Sequence, residues 1–227
     1  MAIKSKILNK SNAVVVDRNY RNLSFNFVYE ITETNKNQTL TDDTQYLYNI
    51  RAFYSSQPDF AVIPYCNIDG GVYNFKYYNC FLFTKPTQVY VFSDMDISPK
   101  PGPKLVIRND LGVPIFSSDM KPMRVVRHIT GEVADLGSDY VIFNEVLEVG
   151  RKYAIAPCDM PYRLWKYADR GNEVALHTLF FSSDAASGQV TIKYGQAFTI
   201  WGGPNRAKSW IDVSKRYSVL ILDVTDY

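Results

Sequence analysis

The sequence predicts an all-β protein. Two tandem antiparallel β-sandwich-like domains, 1–96 and 104–227, flank a proline-rich linker at 97–103. Three observations predict this. Apolar residues recur with a period of two along most of the chain, which is the pleat of a half-buried strand. No long stretch places apolar residues at i, i+3, i+4 and i+7, so no amphipathic helix is indicated. The opening phrase of the chain also returns about a hundred residues later, which points to duplication.

The elements follow in order. Leu23, Phe25, Phe27, Tyr29 and Ile31 share one face, opposite Ser24, Asn26 and Glu30. Tyr46, Tyr48, Ile50 and Ala52 alternate with Asn49 and Arg51, and Phe75, Tyr77, Phe81 and Phe83 follow. Val89 and Val91 close the first domain. Turn residues interrupt at short intervals: Asn12, Asn35–Asn37, Gln57-Pro58-Asp59, Asp69-Gly70-Gly71 and Lys85-Pro86. Short strands with this punctuation form sandwiches or barrels. The linker contains Pro99, Pro101 and Pro103, which cannot continue a sheet ladder and favour an extended conformation.

After the linker the pattern restarts. AVVVDRNYRNLSF at 13–25 is answered by GVPIFSSDMKPMRVV at 112–126. Leu8 corresponds to Ile107, Ala13 to Gly112, Tyr20 to Met120, Arg21 to Lys121, Leu23 to Met123 and Phe25 to Val125. Each half also closes on a similar strand, VYVFSD at 89–94 and VLILD at 219–223. The second half adds a polar loop at 131–138 and strands near 140–143 and 153–157. Residues 162–168 read as a short helical turn or an extended loop. Strands follow at 174–181, 189–194 and 197–201, with a small polar hairpin connection at 183–188.

Composition narrows the function. Tyr (17) and Phe (13) are abundant, and these side chains fit pleated surfaces. A net charge of +2, with basic residues dispersed, argues against a nucleic-acid footprint. Apolar runs stay far below the roughly 18 residues of a membrane span. The first ten residues carry lysines but no apolar core, and Cys66, Cys80 and Cys158 are odd in number and far apart. Folding in a reducing cytoplasm, without an export signal or a disulfide framework, is therefore expected.

Candidate chemistry is sparse. His128 and His177 each lie in an alternating pattern without sequence-local metal ligands, and nothing local joins either to Cys158 as a nucleophile. Asp94-Met95-Asp96 opens like a calcium loop but lacks the required Gly and downstream Glu. Gly70-Gly71 and Gly202-Gly203 are turn pairs, not phosphate cradles. No catalytic residue, cofactor or metal is expected. A tentative recognition surface comprises Tyr162, Trp165, Trp201 and Trp210, with Arg163, Lys166 and Tyr167 beside the first two. Aromatics mixed with cations are common at recognition surfaces, though packing under a loop is the plainer reading of Trp201 and Trp210, and an ordinary surface rim that of the 162–167 cluster.

The phrase from Leu105 to Val126 resembles a motif of tail proteins of long-tailed bacteriophages. In that motif a hydrophobic strand and a small turn ending in Gly precede a pattern close to V-x-F-x-S-x-x-x-x-L/M-x-V-V. Here the pattern is carried by Gly112, Val113, Ile115, Phe116, Ser117, Ser118, Met123, Val125 and Val126. The Lys-Tyr-Ala-hydrophobic strand that often follows is Lys152–Ile155. The copy at Leu8–Phe25 has Asp17-Arg18-Asn19-Tyr20 in place of the usual serine-rich turn. The resemblance implies a virion structural protein of the tail tip or fibres, assembled in the host cytoplasm. Its partners would be other tail proteins, further copies of itself and a host surface glycan, without nucleic acid or membrane insertion. A carbohydrate-binding β-sandwich module using Trp165, Trp201 or Trp210 is the alternative. A hydrolase with two facing carboxylates is a third reading.

Overall fold

Alternating apolar residues set the elements, and turn residues end them. The computed structural model describes residues 6–8, 14–17, 23–32, 40–42, 49–56, 62–69, 72–79, 85–93, 105–108, 111–112, 114–135, 138–166, 173–201 and 211–227. Every regular element among them is a strand. The first stretch holds β1 (Lys6–Leu8), β2 (Val14–Asp17), β3 (Ser24–Ile31), β4 (Leu40–Asp42), β5 (Asn49–Tyr54), β6 (Val62–Asp69), β7 (Val72–Asn79) and β8 (Thr87–Ser93). The second opens with β9 (Val106–Arg108), β10 (Pro114–Ser117), β11 (Val125–Glu132), β12 (Tyr140–Val146) and β13 (Tyr153–Asp159). It continues with β14 (Tyr162–Lys166), β15 (Glu173–Asp184), β16 (Gln189–Trp201), β17 (Ile211–Ser214) and β18 (Arg216–Asp223). The linker at 97–103, Asp94–Asp96, Tyr46–Tyr48, Gly70-Gly71 and Gly202-Gly203 lie outside the described residues.

A six-stranded sheet runs β11-β18-β13-β5-β8-β3, and a five-stranded sheet runs β12-β16-β15-β14-β17. A three-stranded sheet, β4-β7-β6, and the hairpins β1-β2 and β9-β10 complete the described strands. The all-β, sandwich-like architecture read from the sequence is present. Strands of both stretches lie in the six-stranded sheet, where β5 pairs with β13 through Phe53 and Ile155. The main core also draws on both. Ile31, Phe53 and Val89 from the first stretch pack with Ile155, Val219 and Ile221 from the second. Leu179, Phe181, Ile192 and Tyr194 on β15 and β16 cover them. Each such side chain withdrawn from water contributes roughly 1.5–3 kcal/mol.

The opposite face of the six-stranded sheet is buried as well. Ala52, Tyr90, Phe92, Ala154, Ala156, Leu222 and Val224 form a second cluster there, with Leu23, Phe25, Met123 and Tyr227 against it. Burial on both faces explains why Val89–Phe92 and Val219–Leu222 read as continuous apolar runs and not as alternation. The sheet rolls around this cluster until the segments entering its two outermost strands meet. There Phe25 N–H donates to Lys121 O and Met123 N–H to Leu23 O, both at 2.8 Å, beside a Ser24–Pro122 bridge. Tyr227 seals the corner. Its ring lies 5.1 Å from Phe25 and 5.5 Å from Phe92, the Arg124 guanidinium sits 4.8 Å above it, and its hydroxyl donates to Pro122 O.

Several local expectations change. Residues 162–166 are neither a helical turn nor a loop: β14 is a strand hydrogen-bonded on both sides, to β15 and β17. Its length is too short for periodicity to declare it, and its neighbours supply the pairing. The strands expected at 189–194 and 197–201 are one strand, β16. A bulge opposite Leu176/His177 inserts an extra residue and breaks the alternation. Part of the loop expected at 131–138 belongs to β11, which continues to Glu132. The hairpin connection at 183–188 is as expected. Asp184 accepts from Ser187 Oγ at 2.7 Å, and Gly188 takes φ +72 with Leu147 O only 2.8 Å from where a Cβ would stand.

Candidate functional site

Among the proposed recognition residues, Trp210 lies outside the described residues, and for Tyr162, Trp165 and Trp201 only the strand placement is described. That placement is informative. Trp165 pairs with Ala175 across β14–β15, and Ala175 with Thr199 across β15–β16; Trp201 pairs with Glu173 two positions along. Trp165 and Trp201 therefore lie on β14 and β16 with β15 between them, and Tyr162 opens β14. Further along β15, His177, Leu179 and Phe181 are buried. The backbone brings none of the described candidates into adjacent register.

The sequence gives His177 no local metal ligands and no link to Cys158, and the structure makes it a constrained polar group nearby. His177 is 8% exposed, stacks on Tyr194 at 6.3 Å between ring centroids, and has no hydrogen-bond partner at Nδ1. It sits at the bulge, paired with Arg163 on β14 and Gln196 on β16. Burial pulls its imidazole below the ordinary value. The Asp139 carboxylate opposes that shift and Arg163 reinforces it. Gly195 leaves room for Asp139, whose Oδ1 lies 2.5 Å from where a Cβ would stand. His128 contrasts with it: exposed on β11, with Nε2 3.0 Å from Ser218 Oγ.

His177 makes a prediction. Its folded form resists protonation, so below pH about 6.5 the unfolded chain takes up the proton first. Stability should fall as pH drops through that value, by at most about 1.4 kcal/mol per pH unit, until the native imidazole titrates. Urea midpoints at pH 7.5 and 5.5 should therefore differ more for the wild type than for His177→Gln. Equal differences would show that His177 does not titrate abnormally.

A second polar centre joins β18 to its neighbours. Asp223 Oδ2 accepts from Arg151 Nη1 at 2.9 Å and lies 3.7 Å from Arg124 Nη1, while its Oδ1 accepts from Thr225 N–H and Oγ. Arg151 also holds Glu148 at 2.8 Å. Both carboxylate oxygens of Asp223 are used in this way, while the buried Arg124 Nε has no hydrogen-bond partner. Cys158 lies exposed near the end of β13, and partial desolvation raises its thiol, the reverse of an activated thiolate. Among the described residues no three His, Cys, Asp or Glu side chains group as metal ligands. Compared with known protein families, characterised proteins and solved structures, the chain matches none.

Proposed function

We propose that the chain is a non-enzymatic structural component of a phage tail, at the tail tip or with its fibres, acting in tail assembly and host attachment. The observation that carries this reading is the phrase Gly112–Val126, with Lys152–Ile155 after it. Part of it packs and part is exposed, Val125 at 48%. Ser117 is buried, its N–H donates to Met120 Sδ at 3.2 Å, and Met123 packs against the second cluster. A motif shared for its packing fits a family of structural proteins better than a shared catalytic site. The outer strand β12 adds support: Val141 and Val146 are 63% and 62% exposed, and such an edge is a liability unless another surface covers it.

The test is immunogold electron microscopy of tailed phage particles that encode this chain, using an antibody to the purified protein. Gold at the tail tip or fibres is expected. Unlabelled intact and disrupted particles, with the antibody binding free protein, would remove the tail reading.

A further inference from the structure

The pairings of the first stretch recur in the second. In β1–β2, Lys6, Ile7 and Leu8 face Asp17, Val16 and Val14; in β9–β10, Val106, Ile107 and Arg108 face Ser117, Phe116 and Pro114, each 100 positions on. Both hairpins bulge at the same place. Leu8 therefore answers to Arg108, one place from the Ile107 that the sequence alignment selects. In β3–β8, Phe25 faces Phe92 and Phe27 faces Val91; in β11–β18, Val125 faces Leu222 and Arg127 faces Ile221. Each ladder skips one residue, Asn26 and Val126, at the same point. In β5–β8, Ala52 faces Tyr90; in β13–β18, Ala156 faces Leu220. The order β4-β7-β6 recurs as β12-β16-β15, and among the described residues β14 and β17 have no counterpart in the first stretch.

The contacts between the stretches obey the same correspondence. Phe53 pairs with Ile155, so one position along an antiparallel ladder Ala52 stands opposite Ala156. These two alanines are counterparts. At the rolled corner Ser24 bridges Pro122 and Met123 N–H donates to Leu23 O, so Leu23 stands opposite Met123. These are counterparts too. Strand registers can slip by any number of residues, yet both seams centre on equivalent residues. That is the signature of an isologous interface, in which residue i meets j and j meets i.

We infer that the chain is two copies of one eight-strand unit joined about a pseudo-two-fold axis, and that the edge offered by β5 and by β13 is an interaction surface for a second copy of that unit. The inference is independent of the tail reading. In this protein the tandem repeat supplies the partner. The same edge accepts a unit from another chain when its own is out of reach.

The test shortens the connection in the full chain by deleting Pro99–Pro103 in an A52C/A156C background. Directly opposite antiparallel residues lie about 4.5–5.5 Å apart at Cα, which suits a disulfide. With the connection intact, the disulfide mapped by mass spectrometry should lie within one chain. With the deletion, it should join two chains into a dimer of twice the mass. A monomeric deletion variant that keeps the internal disulfide, or an intact-length variant that forms none, overturns the inference. Should the deletion variant fail to fold, intact-length chains carrying two different tags are refolded together at rising concentration. Mixed-tag disulfide dimers should then increase with concentration, and their absence overturns it.

Discussion

Replacing Phe53 by Ala is expected to cost about 3–5 kcal/mol, in the range for a fully buried aromatic removed from a close-packed site. The side chain is 1% exposed and belongs to the core shared by both stretches. Its ring lies 6.0 Å from that of Phe181 across the sandwich. Val89 on β8 and Ile155 on β13 flank it in register, so strands on both sides fix the cavity walls. Relaxation into the void would require those ladders to shift, and close-packed interiors resist this. Because β5 is the first stretch's strand at the seam, the loss should be felt in both stretches. Urea unfolding followed by far-ultraviolet circular dichroism and by tryptophan fluorescence should give one coincident transition at a lower midpoint. A loss below about 1 kcal/mol, or two separated transitions in the wild type, would mean that the stretches do not share this core.

Much of this architecture is legible in the sequence, for a physical reason. Strand identity is legible in the alternation of Leu23–Ile31 and in the continuous apolar run Tyr153–Pro157, which is buried on both faces. The single face read from Leu23–Ile31 does not survive the bulge at Asn26, which sends Phe25 to the second cluster and Tyr29 and Ile31 to the main core. The repeated phrase is legible because both copies form hairpins, β1–β2 and β9–β10, that pair in the same register 100 positions apart. What is not legible is pairing between distant edges. Nothing local in Ile50–Tyr54 or Ala154–Pro157 says that these strands meet, since both sets of side chains would suit any buried strand. The one-residue slip between Leu8 and Ile107 has the same origin: side-chain type is a weak guide to register until hydrogen bonds fix it. Bulges mislead further. The extra residue opposite Leu176/His177 reverses the parity of Thr199 and Trp201, so an alternation count splits one strand into two. The aromatic candidates fared differently. Their composition suggests recognition, but only the pairing shows that Trp165 and Trp201 lie on strands to either side of β15.

Asp223→Asn is expected to lower stability at pH 7 by about 1–3 kcal/mol, the cost of disturbing a mostly buried, charge-assisted hydrogen-bond centre. The upper part of that range is discounted because Arg124 and Arg151 are each 37% exposed and their attraction is screened by water. The carboxylate accepts on both oxygens, whereas an amide turned to keep the Thr225 bonds would point its NH2 at two guanidinium groups. The same centre sets a pH window. Burial by itself would raise the Asp223 carboxyl, but the two hydrogen bonds from Thr225 and the charges of Arg124 and Arg151 outweigh it and hold the group below its ordinary value. A depressed carboxyl stabilises the fold above its unfolded pKa of about 4, and that contribution disappears as pH falls through the lower folded value. The gap between wild type and Asp223→Asn should therefore be constant from pH 7 to about 5 and close below about 4. The His177 contribution changes higher, below pH about 6.5, so the two groups separate on one stability curve. An unchanged gap at pH 3 would show that the Asp223 charge does not produce the difference. Loss of a hydrogen-bond acceptor alone would then explain it, and the Arg124 and Arg151 contacts would be geometric neighbours without energetic weight.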